Sequence, residues 1–480
     1  MSASEPFFRS RRRQALRAFA NGLPSIMLGI AFVIVIFADG VLSQHFHLYP
    51  STFIENAEKT ADAIYQQLSP PVVAPEQFLG WSDTNPGKLA EARFGMRAPV
   101  PDAPSDEHFL LSGGLYQYLE YCPKYGCIAV ELTRSGSLVH AYPYRPDQFE
   151  SHQTVSLPYE EVFFKFTENM KPWGMTRLPD GDLIVVFLQW NTFPFAGGIA
   201  RVRPDGSVAW FRHDYSHHWP RLLPDGNIVV PAMRIGGSHL SVPMPHGYSI
   251  DLECDGKIEE DIVRILNPQG KVLQEISVLD ALLRSPYRGL LSDTPPCDPL
   301  HLNYVVPVTK GIEALYPDVS PDDFVVSLRN LSAFAILGRH DHRLKHLFTG
   351  TFLRQHSVQP LGQSATMLIF DNHGGDWKSG PSRFIAYDLV THTERTLLHN
   401  PEKGGARFSD EAGNISVSPD LKRAIVTYSL SGRAYEVRLA DGKILTAFNN
   451  LHDLRTVPAA GERRNHALAW FCLFTALYVH

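Results

Sequence analysis

The chain has 480 residues, 44% of them hydrophobic and 20% charged, the balance of an ordinary globular protein rather than a disordered or fibrous one. Its 50 acidic residues outnumber 44 basic ones for a net charge of −6, so no basic field points to nucleic acid and no such partner is expected. Thirty-five Gly and 36 Pro imply a fold with many tight turns.

Residues 1–18 carry Arg9, Arg11, Arg12, Arg13 and Arg17 and read as a basic cytoplasmic N-terminus. Residues 19–43 read as a transmembrane anchor: the apolar run from Leu23 to Ala38, extended to Leu42, reaches the roughly 20 residues that cross a bilayer. Arginines ahead of it hold that end in the cytoplasm. The expected location is therefore the inner (plasma) membrane, single-pass, with the main domain facing the periplasm or cell exterior. The rival is a cleaved signal peptide, for which Ser10-Arg11-Arg12 resembles a twin-arginine signal. No small-x-small cleavage site follows Ala38, which favours the uncleaved anchor.

Residues 44–108 read as an amphipathic helix and a linker. Phe53, Ile54, Ala57, Ala61, Ile64 and Leu68 recur at helical spacing over 51–68, Ser69-Pro70-Pro71 stops the helix, and a proline-rich spacer follows. Cys122 and Cys127 then flank Pro-Lys-Tyr-Gly, a gap that a hairpin disulfide can close in an oxidising compartment. Cys254 and Cys297 can form a second bond, leaving Cys472 over; free thiols remain the plain alternative, and zinc is disfavoured because no second ligand pair accompanies the first.

From 109 to 480 the pattern repeats. Ile128 to Leu132, Ile199 to Val202, Ile262 to Leu266 and Tyr435 to Leu439 each run into a polar turn and a second apolar strand. Between these hairpins a second signal recurs: Trp173, His218, His301 and His356 each stand five residues before the apolar residue that enters a turn, Leu178, Leu223, Val306 and Leu361. Strand and turn chemistry at a period of roughly 40–60 residues marks an all-β propeller; the hairpin and inner-strand signals count to six blades, with five or seven the alternatives because Pro243-Met244-Pro245-His246 blurs blade three. Equivalent blade positions converge on the axis, so His218, His301 and His356 are expected at one site. A lone histidine at a strand start is usually structural; three in register are harder to dismiss. His340-Asp341-His342 falls out of register and reads as a polar turn. The apolar end, Ala467 to Val479, is too short to cross a membrane as a helix and is expected as a strand that closes the ring.

Asp298-Pro299-Leu300-His301-Leu302-Asn303, Val326-Ser327-Leu328-Arg329-Asn330-Leu331-Ser332, and Gln355-His356 with Phe370-Asp371-Asn372 together resemble the ordered motifs of the arylsulfotransferase family, the bacterial enzymes that use no adenylyl-sulfate donor. His217-His218 with Leu223-Pro224-Asp225-Gly226-Asn227 is similar to that family's first histidine motif. The resemblance covers roughly 110–455. It implies a ping-pong transfer of a sulfuryl group from an aryl sulfate donor to a phenolic acceptor, without metal or cofactor. His356 matches the nucleophile; His218, His301 and Arg329 match catalytic residues around the sulfuryl group; Asn303, His217 and Trp173 are expected to bind substrate. The chain departs from the pattern where Leu-Pro-Asp-Gly becomes Leu361-Gly362-Gln363-Ser364, and where the irregular segment Lys310 to Asp322 can sit over the axis. Two rivals stand beside this reading. One is a catalytically silent, membrane-anchored propeller serving as a binding scaffold. The other is a metal- or quinone-dependent oxidoreductase, which should show clustered carboxylates or a cofactor motif that the sequence does not display.

Overall fold

The protein is described by a computed structural model that covers residues 95–96, 107–113, 121–157, 170–189, 197–236, 240–242, 258–372, 382–398, 409–449 and 475–479, except positions 124, 410, 430 and 431. All belong to one compact unit, Pro70–His480. The basic N-terminus at 1–18, the anchor at 19–43 and the amphipathic helix at 51–68 lie outside the described residues. Among the described residues no helix is long and apolar enough to cross a membrane.

Six antiparallel sheets make the fold a six-bladed β-propeller. Blade 1 joins the C-terminal strand Thr475–Tyr478 to His108–Ser112, Cys127–Thr133 and Leu138–Pro143. Blade 2 runs from Met170–Arg177 outward through Leu183–Gln189 and Ile199–Val202 to Val208–Arg212, with Gln153–Val155 added parallel to the last. Blades 3, 4, 5 and 6 begin at Arg221–Leu222, Leu302–Pro307, His356–Pro360 and Asn414–Val417. The short strand Gly95–Met96, within the expected linker, pairs with Phe448 and Asn449 on the outer edge of blade 6.

Valine and isoleucine dominate the middle strands, which are buried on both faces because each sheet lies between two others. The buried apolar side chains gather into clusters set mostly between neighbouring blades. Ile184, Val186 and Trp210 of blade 2 meet Ile228 and Val230 of blade 3; Phe370 and Tyr428 join blades 5 and 6. Each such Val, Ile or Phe buried from water contributes about 1.5–3 kcal/mol. The turns follow the sequence: Gly181 and Gly226 of the two Leu-Pro-Asp-Gly segments adopt φ of 91° and 82°, and each amide donates to the carbonyl of the leucine three residues back at 3.0 Å. In blade 5 the altered turn still reverses the chain, with Gly362 at φ 57° and the Ser364 amide donating to Leu361 at 3.1 Å.

The ring is closed by the chain's own end. Thr475–Tyr478 pairs with His108–Ser112 in the register Thr475↔Ser112 to Tyr478↔Phe109, and all four closing residues are buried. Beside that seam lies a buried charge network: Glu436 accepts from Arg134, Arg423, Thr446 and the Tyr478 hydroxyl, the last at 2.8 Å. Glu107, one residue ahead of blade 1, bridges the same two arginines.

Cys122 and Cys127 are joined, with Cα atoms 5.3 Å apart. Cys297 is also disulfide-bonded, to a partner outside the described residues. The segment from Lys310 to Asp322, which the sequence allowed over the axis, lies at the opposite end of blade 4 from His301. It links the far ends of Leu302–Pro307 and Phe324–Leu328, where the Lys310 amide donates to Oε1 of Gln363 in the blade 5 turn at 3.1 Å. The strand direction decides this: His301 precedes its strand and Lys310 follows it.

Candidate active site at the propeller axis

The innermost strands are tied to one another around the axis near one end. Thr475 donates to the Trp173 carbonyl at 3.3 Å, Asn303 to the Gln355 carbonyl at 2.7 Å, and Ser357 accepts from the Ile415 amide at 2.9 Å. Between blades 2 and 4 the links are aromatic. The His218 ring lies 4.1 Å from Trp173 and 5.5 Å from His301, and 5.8 Å from His356 across the centre.

Left-handed backbone delivers these rings. His218 and His301, each just ahead of its inner strand, have φ of 58° and 52°, and Arg354 and Ser357 flank His356 with 52° and 51°. Such conformations cost of order 1–3 kcal/mol for a residue with a side chain and persist where the surroundings enforce them. Gly174 is part of that enforcement. A Cβ there would sit 1.8 Å from the His218 carbonyl oxygen, so only glycine lets blade 2 pass this close to the histidine.

One ring nitrogen from each of His218, His301 and His356 lies within 4.8 Å of the other two. The Nδ1 atom of each ring is held from behind. His356 Nδ1 is 2.6 Å from Asn372 Oδ1, while Asn372 Nδ2 donates to the carbonyls of Ser409 and Ala412 at 2.6 and 2.7 Å. Those two carbonyls fix which way the amide faces. Its oxygen therefore points at the imidazole, Nδ1 must carry the proton, and Nε2 must carry the lone pair. His301 Nδ1 is 2.5 Å from Asp298 Oδ2, and His218 Nδ1 is 2.6 Å from His217 Nδ1, where one of the two rings donates.

Burial, then the Arg329 charge, hold His356 well below the ordinary histidine range; burial, then His217 and His301, do the same to His218. Both imidazoles are neutral at pH 7. Burial also pushes His217 down to about 3. Burial alone would raise Asp298, but the His301 ring and then Arg329 outweigh it and hold the carboxylate ionised. Arg329 opens a short 3-10 turn, its amide donating to the His301 carbonyl at 3.3 Å and its guanidinium to Asn330 at 3.0 Å.

The residues singled out in the sequence divide into two groups. His218, His301 and His356 converge, with Arg329 close enough to act on two of them. Trp173, His217 and Asn303, expected to touch substrate, are as buried as His218 and His356, and each also braces the centre: a ring against His218, a hydrogen bond to His218, and a clamp on the carbonyl preceding His356. Asp298 and Asn372 stood in the quoted motifs without a role, and they orient two of the three rings. The signal for Asp298 was its spacing of three from His301. Asn372 becomes readable only once His356 is known to pair with Phe370.

The sequence displays no cofactor motif, yet the fold does gather carboxylates behind the histidines. Glu259, Glu260 and Asp261 are consecutive and buried on one strand of blade 3, and Asp261 lies 3.9 Å from His217 Nε2. Burial, then Asp298 and Asp261, push Glu259 up to about 9; burial, then Asp298, pushes Asp261 well above the carboxylate range.

No protein-family model and no curated protein matches the chain. Among solved structures it is similar to a protein of unknown function from Bacteroides caccae, at 11% identity and TM-score 0.45, covering 78% of this chain and 100% of that one. It is also similar to virginiamycin B lyase from Staphylococcus aureus, at 9% and 0.32 over 59% and 70% of the two chains. Hydrazine synthase from Kuenenia stuttgartiensis shows 9% and 0.37 over 65% and 70%. Likeness at this level carries no functional argument, and the fold rests on the six sheets themselves.

Proposed function

We propose that the axial centre transfers a sulfuryl group from an aryl sulfate ester to a phenol through a covalent adduct on His356. The observation that carries this reading is the Asn372 clamp, which leaves His356 Nε2 as a neutral, lone-pair-bearing nitrogen in a buried centre. In the first half-reaction that lone pair attacks sulfur, the sulfur–oxygen bond to the aryl group breaks, and the electron pair leaves on the phenolate. A proton from His301, the ring backed by Asp298, neutralises the phenolate. In the second half the acceptor oxygen attacks sulfur, the nitrogen–sulfur bond returns its pair to His356, and the acceptor's proton goes back to the same histidine. The Arg329 guanidinium opposes the charge that builds on the sulfuryl oxygens, and Asp298 holds the His301 ring in place. The resemblance of the 298–303, 326–332 and 355–372 motifs to arylsulfotransferases supports the same chemistry. With it we propose that the 19–43 segment tethers the propeller to the plasma membrane, facing the periplasm or cell exterior.

Turnover of 4-nitrophenyl sulfate with phenol as acceptor, measured beside melting temperature on one His356→Ala sample, tests the assignment. The reading requires turnover to vanish while the protein stays folded. Retained turnover would remove His356 from the chemistry.

A further inference from the structure

The same three imidazoles have a second property. Each has its Nδ1 engaged by a fixed partner: Asn372 for His356, the Asp298 carboxylate for His301, and His217 for His218. Among the described residues this is the one group of three or more potential metal-binding side chains whose ligand atoms lie together. Histidines that ligate metals characteristically present one nitrogen to the ion and hold the other in a hydrogen bond to a carboxylate or amide oxygen, which fixes the tautomer. Three imidazoles with an open fourth position are the donor set of a catalytic-type zinc centre. Imidazole nitrogen also suits cobalt, nickel, copper and iron, but not magnesium or calcium.

Charge and space bear on the choice of guest. The Asp298 carboxylate lies directly behind His301, its Oδ2 2.5 Å from Nδ1, and Arg329 is the opposing charge that acts on His218 and His356. Nitrogens bound tetrahedrally to zinc stand about 3.4 Å apart, given bonds of about 2.1 Å. The widest separation here is 4.8 Å, so a ring must move inward by roughly an ångström. His301, whose side chain is 14% exposed against 1% for the whole His218 and His356 residues, is the ring with room to move.

We infer that His218, His301 and His356 form a site for one divalent transition-metal ion of the zinc and cobalt class, which competes with an anionic substrate for the same three nitrogens. The site is independent of whether sulfuryl transfer occurs there. Metal occupancy and the nucleophilic role of His356 exclude each other, because both need its one lone pair. Zinc would thus switch off the transfer proposed above.

The test uses full-length protein stripped with a chelator and titrated with zinc chloride by calorimetry, and with cobalt chloride by visible absorption. The expected result is one ion per chain, with the intense visible bands of cobalt in a tetrahedral nitrogen site. Binding should fall to background in His218→Ala, His301→Ala and His356→Ala and stay unchanged in His346→Ala, a partly exposed histidine outside the centre. Asn372→Leu keeps all three ligands and should weaken binding about ten- to a hundredfold, the scale of losing an orienting partner. Variants that still melt cooperatively exclude misfolding as the cause. Absence of stoichiometric binding, or binding indifferent to these histidines, would overturn the inference. So would sulfuryl labelling of His356 at an unchanged rate with zinc bound. Stoichiometric zinc in a protein that metal-free never takes up a sulfuryl group would sink the transferase reading and leave the metal site standing.

Discussion

At the scale of single residues, the proposed chemistry depends on a proton being on one side of an imidazole and absent from the other. Asn372 arranges this, because its amide is anchored by two backbone carbonyls and cannot turn. Asn372→Leu should therefore do two things. It leaves the Nδ1–H of a residue that is 1% exposed without its acceptor, costing about 1–3 kcal/mol. It also frees the imidazole to adopt the wrong tautomer, so turnover should fall at least about tenfold beyond any loss of folded protein. Denaturant unfolding beside steady-state rates on one preparation checks both, and unchanged turnover would show that the tautomer is set by something else.

At the scale of elements, the inner strands position the site and the last strand holds the ring shut. Leaving Thr475–Tyr478 unpaired would expose the edge of His108–Ser112 and its hydrogen-bonding groups. The Tyr478 hydroxyl gives that strand a specific anchor, donating at 2.8 Å to the buried Glu436 carboxylate. Burial, then Glu436, raise this phenol well above its ordinary value, so it remains a donor throughout the working pH range. Tyr478→Phe removes one hydrogen bond to a charged group and should cost about 2 kcal/mol in urea unfolding. Turnover per folded molecule should be unaltered, because the change touches none of the three axial imidazoles. A loss below about 0.5 kcal/mol would mean that Glu436 is satisfied by Arg134, Arg423 and Thr446 without the phenol.

At the scale of the whole molecule, stability should peak near pH 6.5. His217, His218 and His356 are buried with their protonated forms disfavoured, so below about pH 6.5 the unfolded chain binds more protons and stability falls as pH drops. Glu259, pushed up to about 9, and Asp261 act in the opposite sense. Their contribution is complete below the unfolded carboxylate range and is lost as pH rises, through about 9 for Glu259. Glu259→Gln should flatten the decline between neutral and alkaline pH, a change readable in melting temperatures across that interval. Much of this molecule was legible in its sequence. The Leu-Pro-Asp-Gly turns after Trp173 and His218 set a five-residue spacing against which His301 and His356 could be aligned, and the apolar C-terminus announced a closing strand. What could not be read was lateral: Asn372 behind His356, and Glu259 and Asp261 near Asp298, meet across strands through pairings that no local pattern encodes. The central claim is that His356 carries the sulfuryl group between two phenols. Intact-mass analysis of metal-free protein exposed to an aryl sulfate without acceptor measures it most directly. The account predicts a gain of one sulfuryl group, mapped to His356, discharged on adding phenol and absent from His356→Ala; no gain, or the same gain in that variant, would contradict it.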